Sequence, residues 1–240
     1  MGLKDFVRSV LTFLRLDITK NLQYDRLTLR ILRDVLKPGS NCIDIGCHKG
    51  EILQVMVDLA PNGRHYAFEP IPAMYNDLVT RFAGKATIFP YALSNEPGQV
   101  KFKHVTNAPA YSGIRQREYA VASPEIEEID VEVKTLDELI PATERIDLVK
   151  IDVEGAEFGV LKGAVETLRR NRPVVVFECG LGASNYYGTQ PGELFDFMTG
   201  EVQLKISTLK NFTSKKLPMS REAFIRCYEQ KEEYYFVAHS

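Results

Sequence analysis

Lys150, Asp152, Glu154 and Glu157 crowd the segment Lys150–Glu157, which reads KIDVEGAE and follows an apolar run. Acids packed this densely around a lysine can hold a proton, orient a polar ligand or bind a cation. Side chains alternate along a strand, so Lys150 and Asp152 share one face of the strand predicted over residues 146–152. In an open α/β sheet, the carboxyl end of such a strand looks toward the ligand crevice. A helix cap accounts for Asp152 or Glu154 alone, and a local ion pair for Lys150. Neither accounts for all four charges.

Three further segments carry ligand-binding chemistry. Asp44, Gly46 and Gly50 are spaced D-x-G-x-x-x-G at the predicted junction of a strand and a helix. The glycines permit a sharp turn and close backbone approach to a ligand. The spacing is not the G-x-G-x-x-G of a dinucleotide site, and a purely structural turn is the alternative. Glu69, followed by Pro70, closes the second predicted strand, where a carboxylate can accept two hydrogen bonds from a ribose diol. A surface acid at a strand end is the plainer reading, and pairing with Asp44 in the preceding unit favours the ribose. Ala92 and Leu93 follow the third strand, where an adenine would lie. Leu93 would pack on the base, and the Ala92 backbone would read its edge.

These residues need a scaffold, and the pattern supplies one. Strands are predicted over residues 42–45, 65–69, 87–91, 146–152 and 174–178, with helices over 51–59, 73–82 and 155–170 between them. Continuous apolar runs such as Val174–Phe177 suit parallel strands covered on both faces, and strand–helix alternation implies βαβ units. Residues 99–105 and 128–134 alternate like an antiparallel pair around an irregular stretch, Thr106–Pro124, of a length that is usually functional or disordered. A short helix near 193–198 and strands near 202–207 and 234–238 complete seven strands. Two helices, over 3–16 and 24–36, open the chain, the second ending at Pro38-Gly39. Residues 1–38 are therefore assigned to a helical extension and 39–240 to the main domain.

Composition narrows the partners. A net charge of −2 over 240 residues argues against nucleic acid, which demands a dense basic surface. Arg169, Arg170 and Arg172 read as cations at a helix C-terminus. Cys42, Cys47, Cys179 and Cys227 match neither a metal-binding nor a disulfide spacing, which points to reduced thiols in the cytoplasm. Arg8, Ser9, Thr12 and Arg15 interrupt the apolar residues between Phe6 and Leu16, so neither a signal peptide nor a membrane span is read there. Phe6, Val10, Phe13 and Leu14 lie at helical intervals and would pack on the domain or on a second copy, giving a homodimer through the N-terminal helices.

Lys150–Glu157 continues into FGVLKGA at Phe158–Ala164, and Arg172–Glu178 reads RPVVVFE. Together with Thr135–Leu139, Ala92–Ser94 and Pro97-Gly98, these runs closely resemble the FkbM family of S-adenosylmethionine-dependent methyltransferases over residues 40–180. The resemblance implies a Rossmann-like seven-stranded sheet with helices on both faces, its last strand antiparallel at one edge. It also implies O-methylation of a hydroxyl on a sugar, glycolipid or natural-product acceptor. By position, Asp44, Gly46 and Gly50 would hold the methionine end of the cofactor and Glu69 the ribose. The family usually has Ala-Asn after the first glycine where this chain has Cys47-His48, so imidazole would stand in for an amide contact.

Such a reaction needs alignment of donor and acceptor, and a base for an aliphatic hydroxyl. Asp152 is the first candidate, followed by Glu154, Glu178 and His48. His48 has the most suitable ordinary pKa, and a structural turn histidine is its alternative. Lys150 would orient a carboxylate or stabilise an alkoxide. Tyr111 and Arg115 in the irregular stretch, Tyr186 in a later loop and Glu178 are candidates for acceptor binding. A divalent cation on Asp152, Glu154 and Glu178 is admitted, but a metal-free mechanism is preferred. A nicotinamide-dependent oxidoreductase and a non-catalytic binding protein are the competing classes. The missing dinucleotide glycines count against the first, and the intact Asp44, Gly46, Gly50 and Glu69 against the second.

Overall fold

The computed structural model describes residues 20–119 and 123–240. The helix expected over residues 3–16, and the dimer contact assigned to it, lie outside these. Helix α1 (Lys20–Val35) is followed by β1 (Cys42–Ile45), α2 (Glu51–Leu59), β2 (His65–Phe68), α3 (Pro72–Arg81), β3 (Thr87–Phe89) and β4 (Ala92–Leu93). Then come β5 (Gly98–Val105), β6 (Ile126–Lys134), α4 (Leu136–Leu139), β7 (Leu148–Ile151), α5 (Glu157–Lys162), α6 (Val165–Asn171) and β8 (Val174–Glu178). The chain closes with α7 (Pro191–Asp196), β9 (Lys205–Thr208), α8 (Leu209–Thr213), α9 (Arg221–Glu229) and β10 (Tyr235–His239).

Seven strands form the main sheet in the order β3-β2-β1-β7-β8-β10-β9. Period-two burial explains the layers. Val175 and Phe177 turn to the face covered by Leu161 of α5, Leu168 of α6 and Phe224 of α9. Val176, between them, turns to the opposite face, against Tyr24 and Ile31 of α1 and Leu209 of α8. Leu32 of α1 and Met56 of α2 extend that second layer over Cys42 and Leu148. The apolar stripe of α1 is thus spent on its own sheet. The expected antiparallel pair is β5 and β6, which join β4 in a separate three-stranded sheet.

Two expectations need correction. The last strand, β10, is antiparallel to both neighbours but sits between β8 and β9, not at the edge. Its Phe236, Val237 and Ala238 are fully buried, which an inner position provides and an edge would not. The helix expected over 155–170 is broken at Gly163-Ala164. Gly163 lies so close to the Ser94 carbonyl that no side chain fits there. The Asp137 carboxylate then accepts from the backbone N–H groups of Glu166 and Thr167 at 2.9 and 2.8 Å, giving α6 a start of its own. Arg169 and Arg170 fall in the last turn of α6 as expected.

Candidate active site

The carboxyl ends of β1, β2 and β7 meet at one crevice. Gly46 and Cys47 both donate backbone bonds to the Phe68 carbonyl, at 3.1 and 3.2 Å, folding the loop after β1 over the end of β2. Gly46 has φ +72°, and a Cβ there would stand 1.9 Å from the Asp152 carbonyl oxygen. Only glycine lets the β1 and β7 loops touch in this way. Glu69 is buried. Its Oε2 accepts from the His48 N–H at 2.8 Å and its Oε1 from the Ile71 N–H at 3.0 Å. Burial nevertheless pushes its carboxyl up to about 7. His48 takes a left-handed backbone, φ 50°, to aim its N–H at Glu69. Burial pulls its imidazole below the ordinary value, and Nε2 has no partner.

Lys150 ties the floor together. Its Nζ donates to the Gly46 carbonyl at 3.2 Å and lies 3.3 Å from Asp152 Oδ2 and 3.6 Å from Asp44 Oδ1. Burial opposes its charge, but Asp152 and Asp44 outweigh burial and keep it protonated. Asp44 is completely buried, and burial raises its carboxyl against the pull of Lys150. At Asp152, burial is outweighed by Lys150, by the Tyr235 hydroxyl and by Arg117, so the carboxyl stays below its usual range. Tyr235 donates to Asp152 Oδ2 at 2.7 Å. Asp152 Oδ2 therefore takes both the phenol and the ammonium.

These groups border a cavity of about 560 Å³, within the range of small-molecule sites. Gly46, Cys47, His48, Glu69, Pro70, Ala92 and Leu93 line one end, and Lys150, Asp152, Glu154 and Tyr235 another part of the wall. Asp44 and Gly50 do not reach it. Asp44 lies beneath Lys150, and Gly50 faces Leu78 and Phe82 of the α3 region. Tyr24, Thr28 and Leu29 of α1 also line the cavity. These residues carry no motif, so their place at the cavity was not legible in the sequence.

The irregular insert is arranged differently from the sequence expectation. Pro109, Ala110, Ser112 and Ile114 face the cavity, whereas Tyr111, Arg115 and Tyr186 hold loops together. The Arg115 N–H donates to the Tyr187 hydroxyl at 2.8 Å, and Arg115 Nη1 donates to the Tyr186 carbonyl at 3.1 Å. The Arg115 guanidinium also lies 5.6 Å from the Tyr187 ring centroid. Arg117 forms an ion pair with Glu154 and lies 5.4 Å from the Tyr111 ring centroid. Glu154 is thereby committed to a cation, which makes it unsuited to act as a base. Glu178 stands instead with Asp152 and Glu157, one oxygen of each within 4.8 Å of the others. Tyr235, absent from the sequence candidates, is placed here because it pairs in register with Glu178.

The profile of the family described as Methyltransferase FkbM domain matches residues 44–205. The 2-O-methyltransferase NoeI of Sinorhizobium fredii is 29% identical over 169 residues, covering 64% of this chain and 68% of NoeI. Methyltransferase sdnD of Sordaria araneosa is 28% identical over 155 residues, 52% of this chain and 60% of that protein. Among solved structures, methyltransferase FkbM from Methylobacillus flagellatus KT superposes with a TM-score of 0.52 at 13% identity. That match covers 85% of this chain but only 44% of the other, so the chain spans less than half of the crystallised protein.

Proposed function

Because the chain belongs to the FkbM methyltransferase family, we propose that it transfers a methyl group from S-adenosylmethionine to a hydroxyl of a sugar, glycolipid or natural-product acceptor. The observation that carries this reading is the buried Glu69 carboxylate, fixed by two backbone N–H groups and open to the cavity beside Gly46 and His48. Each Glu69 oxygen keeps a lone pair for a ribose hydroxyl. Charge also fits. Glu51, Glu69, Asp152 and Glu154 line the crevice against Lys150, which suits a ligand bearing a sulfonium and an ammonium. Leu93, Ala92 and Pro70 would enclose the base, and the Gly46–His48 loop the methionine end. The cofactor supplies a methyl group already activated by positive sulfur.

The chain's own residues would position the acceptor. Asp152 is held by Lys150 and Tyr235 in one orientation and is ionised at neutral pH. It would accept the hydroxyl's hydrogen bond and take its proton as the oxygen–carbon bond forms. Residues 39–240 would form the catalytic unit, with Tyr24, Thr28 and Leu29 of the preceding extension walling the acceptor end. NoeI is named a 2-O-methyltransferase, which favours oxygen as the atom methylated. Among the described residues no helix is long and apolar enough to cross a membrane. All four cysteines are free and buried, which supports the cytoplasm as the compartment.

Calorimetry with S-adenosylmethionine tests the cofactor, and mass analysis of hydroxylated acceptors after incubation tests the transfer. We expect saturable heat, and a one-methyl mass gain that Asp152→Asn abolishes while cofactor heat persists. A chain giving no heat with the cofactor would overturn the reading.

A further inference from the structure

Asp152, Glu157 and Glu178 each bring a carboxylate oxygen to within 4.8 Å of the other two, at the junction of β7, α5 and β8. Two observations separate this group from an ordinary acidic cluster. Glu157 is 1% exposed. Its Oε1 is pinned by the N–H groups of Val153 and Gly155 at 3.0 and 3.1 Å, while Oε2 is buried with no partner among the described residues. A buried acceptor left unsatisfied is costly and calls for an explanation.

The nearby cations are already engaged. Arg117 is paired with Glu154, and Lys150 is shared between Asp44 and Asp152. Glu157 and Glu178 form no ion pair among the described residues, which leaves their carboxyl oxygens open to a cation.

We infer that Asp152, Glu157 and Glu178 form a binding site for a divalent, oxygen-preferring cation such as Mg²⁺ or Mn²⁺. Three carboxylates and no sulfur or imidazole select that class. The set differs from the one read in the sequence. Glu154 is drawn away by Arg117, and Glu157, three residues onward at the start of α5, takes its place. Asp152 lines the cavity, so coordination positions not filled by protein would face an acceptor oxygen. A hydroxyl bound to such a cation is more acidic. That role in transfer rests on the methyltransferase reading, whereas the cation site itself does not.

The test is Mn²⁺ titration of chelator-stripped full chain, followed by electron paramagnetic resonance, with S-adenosylmethionine calorimetry in parallel. We expect one Mn²⁺ per chain. Glu157→Gln and Glu178→Gln should each weaken binding at least about tenfold, or about 1.4 kcal/mol. Glu154→Gln should leave Mn²⁺ affinity unchanged, and melting curves should show all three variants folded. No Mn²⁺ uptake by the unmodified chain, or uptake indifferent to both ligand substitutions, overturns the site. If cofactor heat persists in that case, the methyltransferase reading stands without it. Mn²⁺ binding without cofactor heat would have the reverse meaning.

Discussion

The two ends of the cavity are built by different means. At the Glu69 end, main-chain groups do the positioning. The N–H groups of His48 and Ile71 fix the carboxylate, and the Phe68 carbonyl holds the Gly46–Cys47 turn. All of this hangs on parallel strands whose register pairs Ile45 with Phe68 and Ile151. At the Asp152 end, side chains reach across to other side chains and to loop backbone. Arg117 grips Glu154, Arg115 clamps Tyr187 and Tyr186, and Tyr235 reaches Asp152. Backbone geometry tolerates changes in sequence, whereas side-chain clasps do not. The Glu69 end is thus set by main-chain geometry and the Asp152 end by the identity of its side chains.

The substitution with the largest expected effect strikes both ends at once. Gly46→Ala would drive a methyl group into the Asp152 carbonyl, at a cost on the order of 3 kcal/mol. Thermal unfolding should show a drop of several degrees, and cofactor binding should vanish. A variant that melts and binds normally would mean that the β1 and β7 loops do not meet. Glu69→Ala should separate the ends. Cofactor affinity should fall about 10–100-fold, the size of charged hydrogen bonds, with the acceptor KM unchanged. Equal losses in both constants would erase the distinction.

Tyr235→Phe probes the other end. Removing a bond that favours the Asp152 carboxylate raises its pKa. The acidic limb of the kcat profile should move to higher pH and kcat fall about tenfold, with cofactor affinity kept. An unmoved limb would detach Tyr235 from Asp152.

Two buried acids, one on each side, give a subtler effect. Glu69 and Glu157 hold carboxyls pushed up to about 7 by burial, above the value of an unfolded glutamate. Between about pH 4.5 and 7 the native state therefore binds more protons than the unfolded chain, and its stability falls as pH rises. The ligand-free melting temperature should decline across that window by a few degrees, and Glu69→Gln should flatten the decline. A flat profile in the unmodified protein would contradict the burial of both acids. The smallest effect belongs to Arg115→Ala, which loses a partly exposed ring contact worth about 0.5–1 kcal/mol. Acceptor KM should rise about two- to fivefold while cofactor binding stays the same, and a cofactor defect would show that the clamp reaches further than the acceptor wall.

The same division decides what could be read from the sequence. The strands β1, β2, β7 and β8 were legible because continuous apolar runs ending in acid or glycine have few other uses. Asp44, Gly46, Glu69, Lys150 and Asp152 came with them, since each sits at or beside a strand end. The acceptor wall was not legible. Tyr111 and Arg115 have side chains suited to an acceptor, yet their partners in the fold engage them first, Tyr186 is exposed, and small residues such as Ala110 and Ser112 face the cavity instead. Tyr235 and Tyr24 lie far from any motif, and only the pairing of β10 with β8 and the packing of α1 bring them in. The inner position of β10 was equally hidden. Alternation shows that a strand exists, but not which neighbour it takes.

That inner position has a consequence for how the molecule is assembled. Among the described residues, strand β9 pairs in the main sheet with β10 alone, although it precedes β10 by more than twenty residues in the chain. Its ladder therefore waits for a strand made later. The phenol that steadies Asp152 arrives with that later strand, across a separation of 83 residues, so the wall around Asp152 stays incomplete until the end of the chain is in place.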